Sequence, residues 1–178
     1  RDSDDKNSHL KMVTAVGTVM GIHALYEIFI GGTAISFDIM IKYLPVSLLY
    51  IGSMTLGYVG LRYIELSISS PICNSSGALV AIMSLIAFGV KMNSWQLAAV
   101  FMVCAGVIGL GLVEYFEDDT LRAARQEKSN YRYAKSAIAL ILPVLYCVLD
   151  AAGTFADSLV LETLDEDSAN VAYELTFL

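Results

Sequence analysis

Charged residues are scarce in this sequence. Only 16% of the 178 residues are Asp, Glu, Lys or Arg, whereas 56% are hydrophobic. Soluble domains average about 25% charged and about 45–50% apolar residues. One small core does not need so much apolar surface, so the scarcity of charge argues against a water-soluble domain and favours an integral membrane protein.

Several functional signals are also missing. The three cysteines, Cys73, Cys104 and Cys147, lie within apolar runs at no zinc or disulfide spacing, so we expect packing roles and no metal or cofactor. The 11 Lys and Arg residues are scattered or mixed with acids, which argues against nucleic acid as a partner. No Walker loop is present, so any transport would draw its energy from a gradient of an ion or solute.

Long apolar runs are what the sequence does contain. A helix needs about 20 mostly apolar residues to cross a bilayer, and its backbone groups must be hydrogen-bonded within the segment. Four runs meet this requirement and predict membrane-spanning helices. They are residues 12–30, 44–61, 72–90 and 97–115.

A fifth apolar run, residues 137–149, makes only about 20 Å of helix and is too short to cross by itself. To span the membrane, the helix must continue through Asp150 to about Ala156. This continuation places the carboxylate of Asp150 about 9 Å inside one edge of the hydrocarbon. The alternative is an earlier start at Tyr131 or Tyr133, with Lys135 reaching the headgroups and Asp150 moved toward the opposite interface.

The predicted fold is therefore an all-α multi-pass membrane bundle of five full helices. An acidic, solvated connector at residues 161–170 and a sixth helix at 171–178, cut off by the chain end, follow them. Pro45 and Pro71 stand near predicted helix starts, where a missing amide hydrogen costs little. Pro143 lies inside the fifth span and predicts a kink.

Small residues recur at spacings that let membrane helices approach closely, which predicts one tight bundle. They are Gly17 with Gly21, Gly52 with Gly57 and Gly60, and Ala105 with Gly109.

One face of the fifth helix carries Tyr146, Asp150, Thr154 and Asp157 at helical spacing. A carboxylate that faces lipid costs at least about 2.5–3.5 kcal/mol at the helix centre, so this face should turn toward the bundle interior or a wet cavity. Asp150 is the leading candidate to pair with a cationic solute group or to exchange a proton, with Tyr146 and Thr154 beside it. The alternative is a hydrogen-bonded carboxyl group that only links helices.

Two further polar pairs are candidates for solute contact. His23 and Glu27 are four residues apart in the first span and can touch each other. They form either a proton relay or a pair that satisfies itself near the interface. Asn74 and Ser75, in the third span, either donate hydrogen bonds to a solute or join helices.

Residues 61–112 contain Leu61-Arg62-Tyr63-Ile64 at a helix end, Ser70-Pro71 in a serine-rich turn, Gly89-Val90-Lys91 at the next helix end, Gln96, and Ala105-Gly106-Val107. With these features the segment resembles the EamA-type repeat of the drug/metabolite transporter superfamily. Val90 departs from the glutamate usual in the family, and Ser75-Ser76-Gly77 replaces a second Ser-Pro.

The resemblance implies a secondary transporter of ten helices in two inverted repeats, with its solute site near the midplane. Residues 1–116 would belong to the first repeat, 117–135 to a charged loop between repeats, and 136–178 to the start of the second. We expect a carrier of small organic metabolites in the plasma (inner) membrane, with a homodimer as one assembly, and not an enzyme. The alternative is an accessory or scaffold membrane protein that transports nothing.

The distribution of Lys and Arg between the loops bears on how the chain is oriented in the membrane. If loops alternate sides, one side carries nine Lys or Arg residues and the other only Lys42 and Lys91. The positive-inside rule would make the nine-residue side cytoplasmic, whereas the resemblance implies the opposite. We adopt the orientation of the family.

Overall fold

The chain is described by a computed structural model over residues 7–61, 63–64, 66–89, 91–118, 120–121, 124 and 137–178. In this part of the chain the predicted all-α fold is confirmed, because it contains helices and no strand. The helices are α1 (Ser8–Tyr26), continued by a π-helical turn (Glu27–Gly31), α2 (Phe37–Gly60), α3 (Leu66–Cys73), α4 (Ser76–Phe88), α5 (Ser94–Phe116), α6 (Ala137–Val160) and α7 (Glu166–Phe177).

Five helical stretches are long and apolar enough to cross a membrane. They are Leu10–Gly31, Phe37–Gly60, Ile68–Phe88, Ser94–Val113 and Leu140–Val160. Large apolar side chains such as Phe29, Ile86 and Phe101 are more than 70% exposed, as expected for surfaces that face lipid. The chain is an integral membrane protein with several spans, as predicted.

The second span begins at Phe37 rather than at residue 44. The side chain of Ser36 caps the helix, because its Oγ accepts a hydrogen bond from the amide of Ile39 at 3.3 Å. Asp38 and Lys42 are four residues apart in the first turns of the helix and form an ion pair at 2.7 Å. Pro45 therefore lies inside α2, which corrects the prediction that it stands near a helix start.

The third span is not one continuous helix. α3 begins at Leu66, so Pro71 is also inside a helix, and α3 and α4 are separated at Asn74 and Ser75. The side-chain amide of Asn74 donates to the Ser70 carbonyl at 2.9 Å, and Ser75 Oγ donates to the Ile72 carbonyl at 2.6 Å. Such local bonds compete with helical hydrogen bonds, which explains the break in the predicted run.

The last two helices also differ from their predicted bounds. α6 continues to Val160, beyond Ala156. α7 begins at Glu166 rather than at residue 171, because Asp165 caps it by accepting a hydrogen bond from the Ser168 amide at 3.2 Å. The acidic segment is thus a connector only in its first half.

The core lies where α2, α6 and α7 meet. α2 and α6 are antiparallel, since Gly60 contacts Leu142 at one end while Tyr43 bonds Asp157 toward the other. α7 covers this pair, and a buried cluster joins α2 to α7. Its members are Tyr43, Val46, Ala169 and Ala172.

Two of the three predicted sets of small residues meet another helix. Gly17 and Gly21 of α1 contact the end of α7, and Gly52, Gly57 and Gly60 of α2 face α6. A Cβ added at Gly109 of α5, by contrast, would meet no atom of the described residues within 4 Å. Small residues are therefore packing sites only where another helix reaches them.

Gly17→Ala is expected to lower the free energy of unfolding by about 1–3 kcal/mol, as overpacking commonly does. The new methyl group would lie 2.8 Å from the backbone oxygen of Phe177 and 2.7 Å from its ring. Gly109→Ala is the matched control and should be neutral or stabilising by about 0.5–1 kcal/mol. Unfolding by titration with denaturing detergent measures both, and equal effects would contradict the α1–α7 contact.

Several sequence-based predictions lie outside the described residues. They are the alternative helix start at Tyr131 or Tyr133, the role of Lys135, the positions of Arg62 and Val90, and most of the charged loop at 117–135.

Candidate functional site

Asp150 lies at the centre of the fifth span. It is ten residues from either end of the stretch Leu140–Val160, which is about 15 Å of helix on each side. This distance of about 15 Å exceeds the predicted distance of about 9 Å, because α6 continues past Ala156. Asp150 therefore lies at the middle of this candidate span.

Asp150 is half-buried. Among the described residues it forms no ion pair and no side-chain hydrogen bond. It lies within electrostatic range of the hydroxyls of Tyr50, Tyr146 and Tyr173. Three tyrosine hydroxyls are thus near Asp150, and no cationic side chain of the described residues pairs with it.

Two other polar residues on the same face of α6, Thr154 and Asp157, form hydrogen bonds with α2. Tyr43 Oη donates to Asp157 Oδ1 at 2.6 Å, and Tyr50 Oη donates to Thr154 Oγ1 at 3.2 Å. Sequence reasoning missed both tyrosines. The available signal was the seven-residue spacing of Tyr43, Tyr50 and Gly57, which places them on one face of a helix.

Aromatic rings line the region around Asp150. The rings of Tyr50 and Tyr173 pack edge to face, with centroids 5.7 Å apart. The ring of Tyr146 lies against Gly57, where a Cβ would come within 2.8 Å of it. Aromatic faces and a carboxylate are the groups that attract an organic cation, so this arrangement suits a positively charged ligand.

The break in the third span lies next to α6, the helix that carries Asp150. Ser75 Oγ lies 3.3 Å from Cys147 Sγ, and Cys147 is one helical turn from Asp150. Asn74, by contrast, is exposed, and its amide is held by the carbonyl and the hydroxyl of Ser70 at 2.9 and 3.1 Å. The structure thus brings Ser75, but not Asn74, next to the helix that carries Asp150.

The predicted pair of His23 and Glu27 belongs to a different cluster. The main partner of His23 is Glu174 of α7, whose two carboxylate oxygens lie 2.9 and 3.0 Å from Nδ1. Glu27 Oε1 is more distant, at 3.8 Å from Nε2. Sequence reasoning missed Glu174, although an acid inside a predicted sixth helix was a signal for it.

Acidic side chains also collect at one end of the bundle. The connection between α6 and α7 exposes them where α2 begins. They are Glu162, Asp165, Glu166 and Asp167. We call this region the acidic end. Clustered charge of one sign raises the local concentration of ions of the opposite sign, so the acidic end favours the approach of cations.

Within the described residues, no group of three or more His, Cys, Asp or Glu side chains is arranged to hold a metal ion. No family model matches this chain, and neither a curated protein nor a solved structure matches it at a significant level.

Proposed function

We propose that this protein is a secondary-active or facilitative transporter of small organic metabolites in the plasma (inner) membrane. It works by alternating access, and Asp150 binds the cationic group of the solute. The observation that carries the proposal is the half-buried carboxylate at mid-span, which has no ion pair or hydrogen bond within the described part of the chain.

The physical reason is the cost of a charge in hydrocarbon. An isolated carboxylate at the centre of a span costs at least about 2.5–3.5 kcal/mol, so such residues face a bundle interior or a watery cavity and mark solute or ion pathways. If Asp150 served only to join helices, a partner side chain would be expected to satisfy it, as Tyr43 satisfies Asp157.

Two features of the surroundings support a cationic solute. The rings of Tyr50, Tyr146 and Tyr173 supply faces that attract a cation, and the acidic end supplies a negative entrance. The helix break at Asn74 and Ser75 also suits a carrier, because discontinuous spanning helices near the midplane are typical of transporter binding sites. The resemblance of residues 61–112 to the EamA-type repeat agrees with this proposal, and we propose membership of that superfamily.

Reconstituted vesicles test the function. We expect vesicles containing the protein to take up at least one organic cation faster than empty vesicles, in a panel with amino acids, nucleosides, sugar phosphates and cationic drugs. Sugar phosphates serve as the matched control, since an anionic solute should be repelled by Asp150. Uptake of no solute, or of sugar phosphates alone, would contradict the proposal.

An accessory or scaffold role is the second candidate. The bonds Tyr43–Asp157 and Tyr50–Thr154 favour it, because they use the polar face of α6 to join helices. On this reading Asp150 is a cost to folding, and Asp150→Leu should raise the free energy of unfolding while the vesicles take up no solute.

A further inference from the structure

A second group of ionisable side chains lies between α1 and α7, apart from Asp150. It consists of His23, Glu27 and Glu174, which we call the α1–α7 triad. His23 lies eight residues from Gly31, the end of the first span, which is about 12 Å of helix. His23 therefore lies inside the first candidate span, and the triad joins α1 to α7, whereas Asp150 belongs to α6.

The imidazole of His23 lies between two carboxylates. Its Nδ1 is 2.9 Å from the nearer oxygen of Glu174, and its Nε2 is 3.8 Å from Glu27. A neutral imidazole has one N–H and can donate to only one carboxylate, whereas an imidazolium donates on both sides. Glu27, at 3.8 Å, is in ion-pair range rather than hydrogen-bond range of Nε2, so a second proton on the ring would face a carboxylate.

The net charge of the triad in a medium of low dielectric constant also favours binding of a proton. With a neutral imidazole the triad carries two negative charges, and with an imidazolium it carries one. In the described residues, the charged groups that face His23 are Glu27 of its own helix and Glu174 of α7. The ionisable groups of α2 have other neighbours: Asp38 pairs with Lys42, Tyr43 bonds Asp157 and Tyr50 bonds Thr154. Tyr58 lies within electrostatic range of Tyr146. Tyr173 of α7 is within electrostatic range of Glu174. Binding a proton therefore halves the net charge that the triad carries inside the bilayer.

One polar contact links the triad to the nearest end of the first span. Thr33, just beyond the π-helical turn, donates a hydrogen bond to Glu27 Oε2 at 3.5 Å, and Glu27 in turn faces His23. The side chain of His23 is 58% exposed, whereas that of Glu174 is only 16% exposed. The main counterion of His23 is thus held between helices, while the ring itself lies at the surface of the described bundle.

We propose that His23, Glu27 and Glu174 form a proton-binding site through which a proton gradient drives the carrier. The coupling to transport rests on the function proposed above, whereas proton binding does not. Because the contact between His23 and Glu174 bridges two helices, any movement of α1 relative to α7 changes how tightly the proton is held. A proton that prefers one arrangement of the helices shifts the population toward it.

Nuclear magnetic resonance of labelled histidine tests the proton site without any solute. The chain has two histidines, so His9→Gln leaves the His23 signal alone in every sample. Adding Glu174→Gln should move the titration midpoint of His23 by about one pH unit or more, as loss of a neighbouring charge does. Glu27→Gln should move it less, and Glu162→Gln, a change at an exposed acid, should not move it.

An unchanged midpoint in Glu174→Gln would overturn the proton site. Glu174→Asp, which keeps the charge, guards against a variant that misfolds. It should titrate closer to the parent than Glu174→Gln does, and a midpoint equal to that of Glu174→Gln would also overturn the site.

Uptake measurements test the coupling. A proton gradient should increase accumulation of a transported cation in the parent protein, and Glu174→Gln should abolish that increase but keep exchange of solute for solute. An equal response to the gradient in the variant would overturn the coupling. If the parent transports nothing, the carrier function and its coupling fail, while the resonance experiment still decides whether the proton site exists.

Discussion

Asp150→Asn is expected to reduce uptake of organic cations by about 100-fold or more. Breaking one partner of a buried charge pair costs about 3–5 kcal/mol, and each 1.4 kcal/mol is about a tenfold change in affinity. Asn has nearly the same shape as Asp but lacks the charge, so the substitution removes the attraction for the cation and leaves the packing of α6 in place. Initial uptake rates over a range of solute concentrations in reconstituted vesicles measure the loss.

Asp38→Asn is the matched control for Asp150→Asn. Asp38 is also an acid in a spanning helix, but it is exposed at the acidic end and paired with Lys42. Exposed pairs contribute about 0–1 kcal/mol, so uptake should stay close to that of the parent. Uptake that is unchanged in Asp150→Asn, with the protein folded, would contradict the placement of Asp150 in the solute site.

Tyr43→Ala is expected to lower the free energy of unfolding by about 3–5 kcal/mol, the usual range for truncating a large buried aromatic side chain. Tyr43 is only 4% exposed, packs against Val46, Ala169 and Ala172, and donates the 2.6 Å hydrogen bond to Asp157. The change therefore opens a cavity where α2, α6 and α7 meet and leaves a carboxylate inside the bundle without its donor.

Tyr43→Phe separates these two contributions. It keeps the ring and loses only the hydrogen bond, so it should cost about 1.5–3 kcal/mol, the range for a bond to a charged group. Tyr26, which is 53% exposed on α1, supplies the control, and Tyr26→Ala should have a much smaller effect. Unfolding in mixed micelles measures all three. If Tyr43→Ala lowered the free energy of unfolding no more than Tyr26→Ala does, the assignment of the core to α2, α6 and α7 would be wrong.

Membrane spans are the property that the amino-acid sequence determines by itself. Apolar runs of sufficient length must form helices in lipid, because no other conformation satisfies the backbone within the segment. The structure contains five helical stretches that are long and apolar enough to cross a membrane, as predicted. The face of α6 that carries Tyr146, Asp150, Thr154 and Asp157 was also predictable, because helical spacing is a local property.

The ends of the helices differ from the predicted ends because of local side-chain hydrogen bonds. Ser36 caps an earlier start of α2, Asp165 caps an earlier start of α7, and Ser75 interrupts the third span.

Partners across the bundle were decided only by the tertiary structure. Tyr43 and Asp157 are 114 residues apart in the chain, Tyr50 and Thr154 are 104 apart, and His23 and Glu174 are 151 apart. Helical periodicity shows which side chains share a face of one helix, but not which helix that face meets. That choice depends on how α2, α6 and α7 fill space together, and it decides which acids are satisfied. Asp157 receives a hydroxyl donor from α2 and Glu174 an imidazole from α1, whereas Asp150, on the same face as Asp157, receives neither within the described residues.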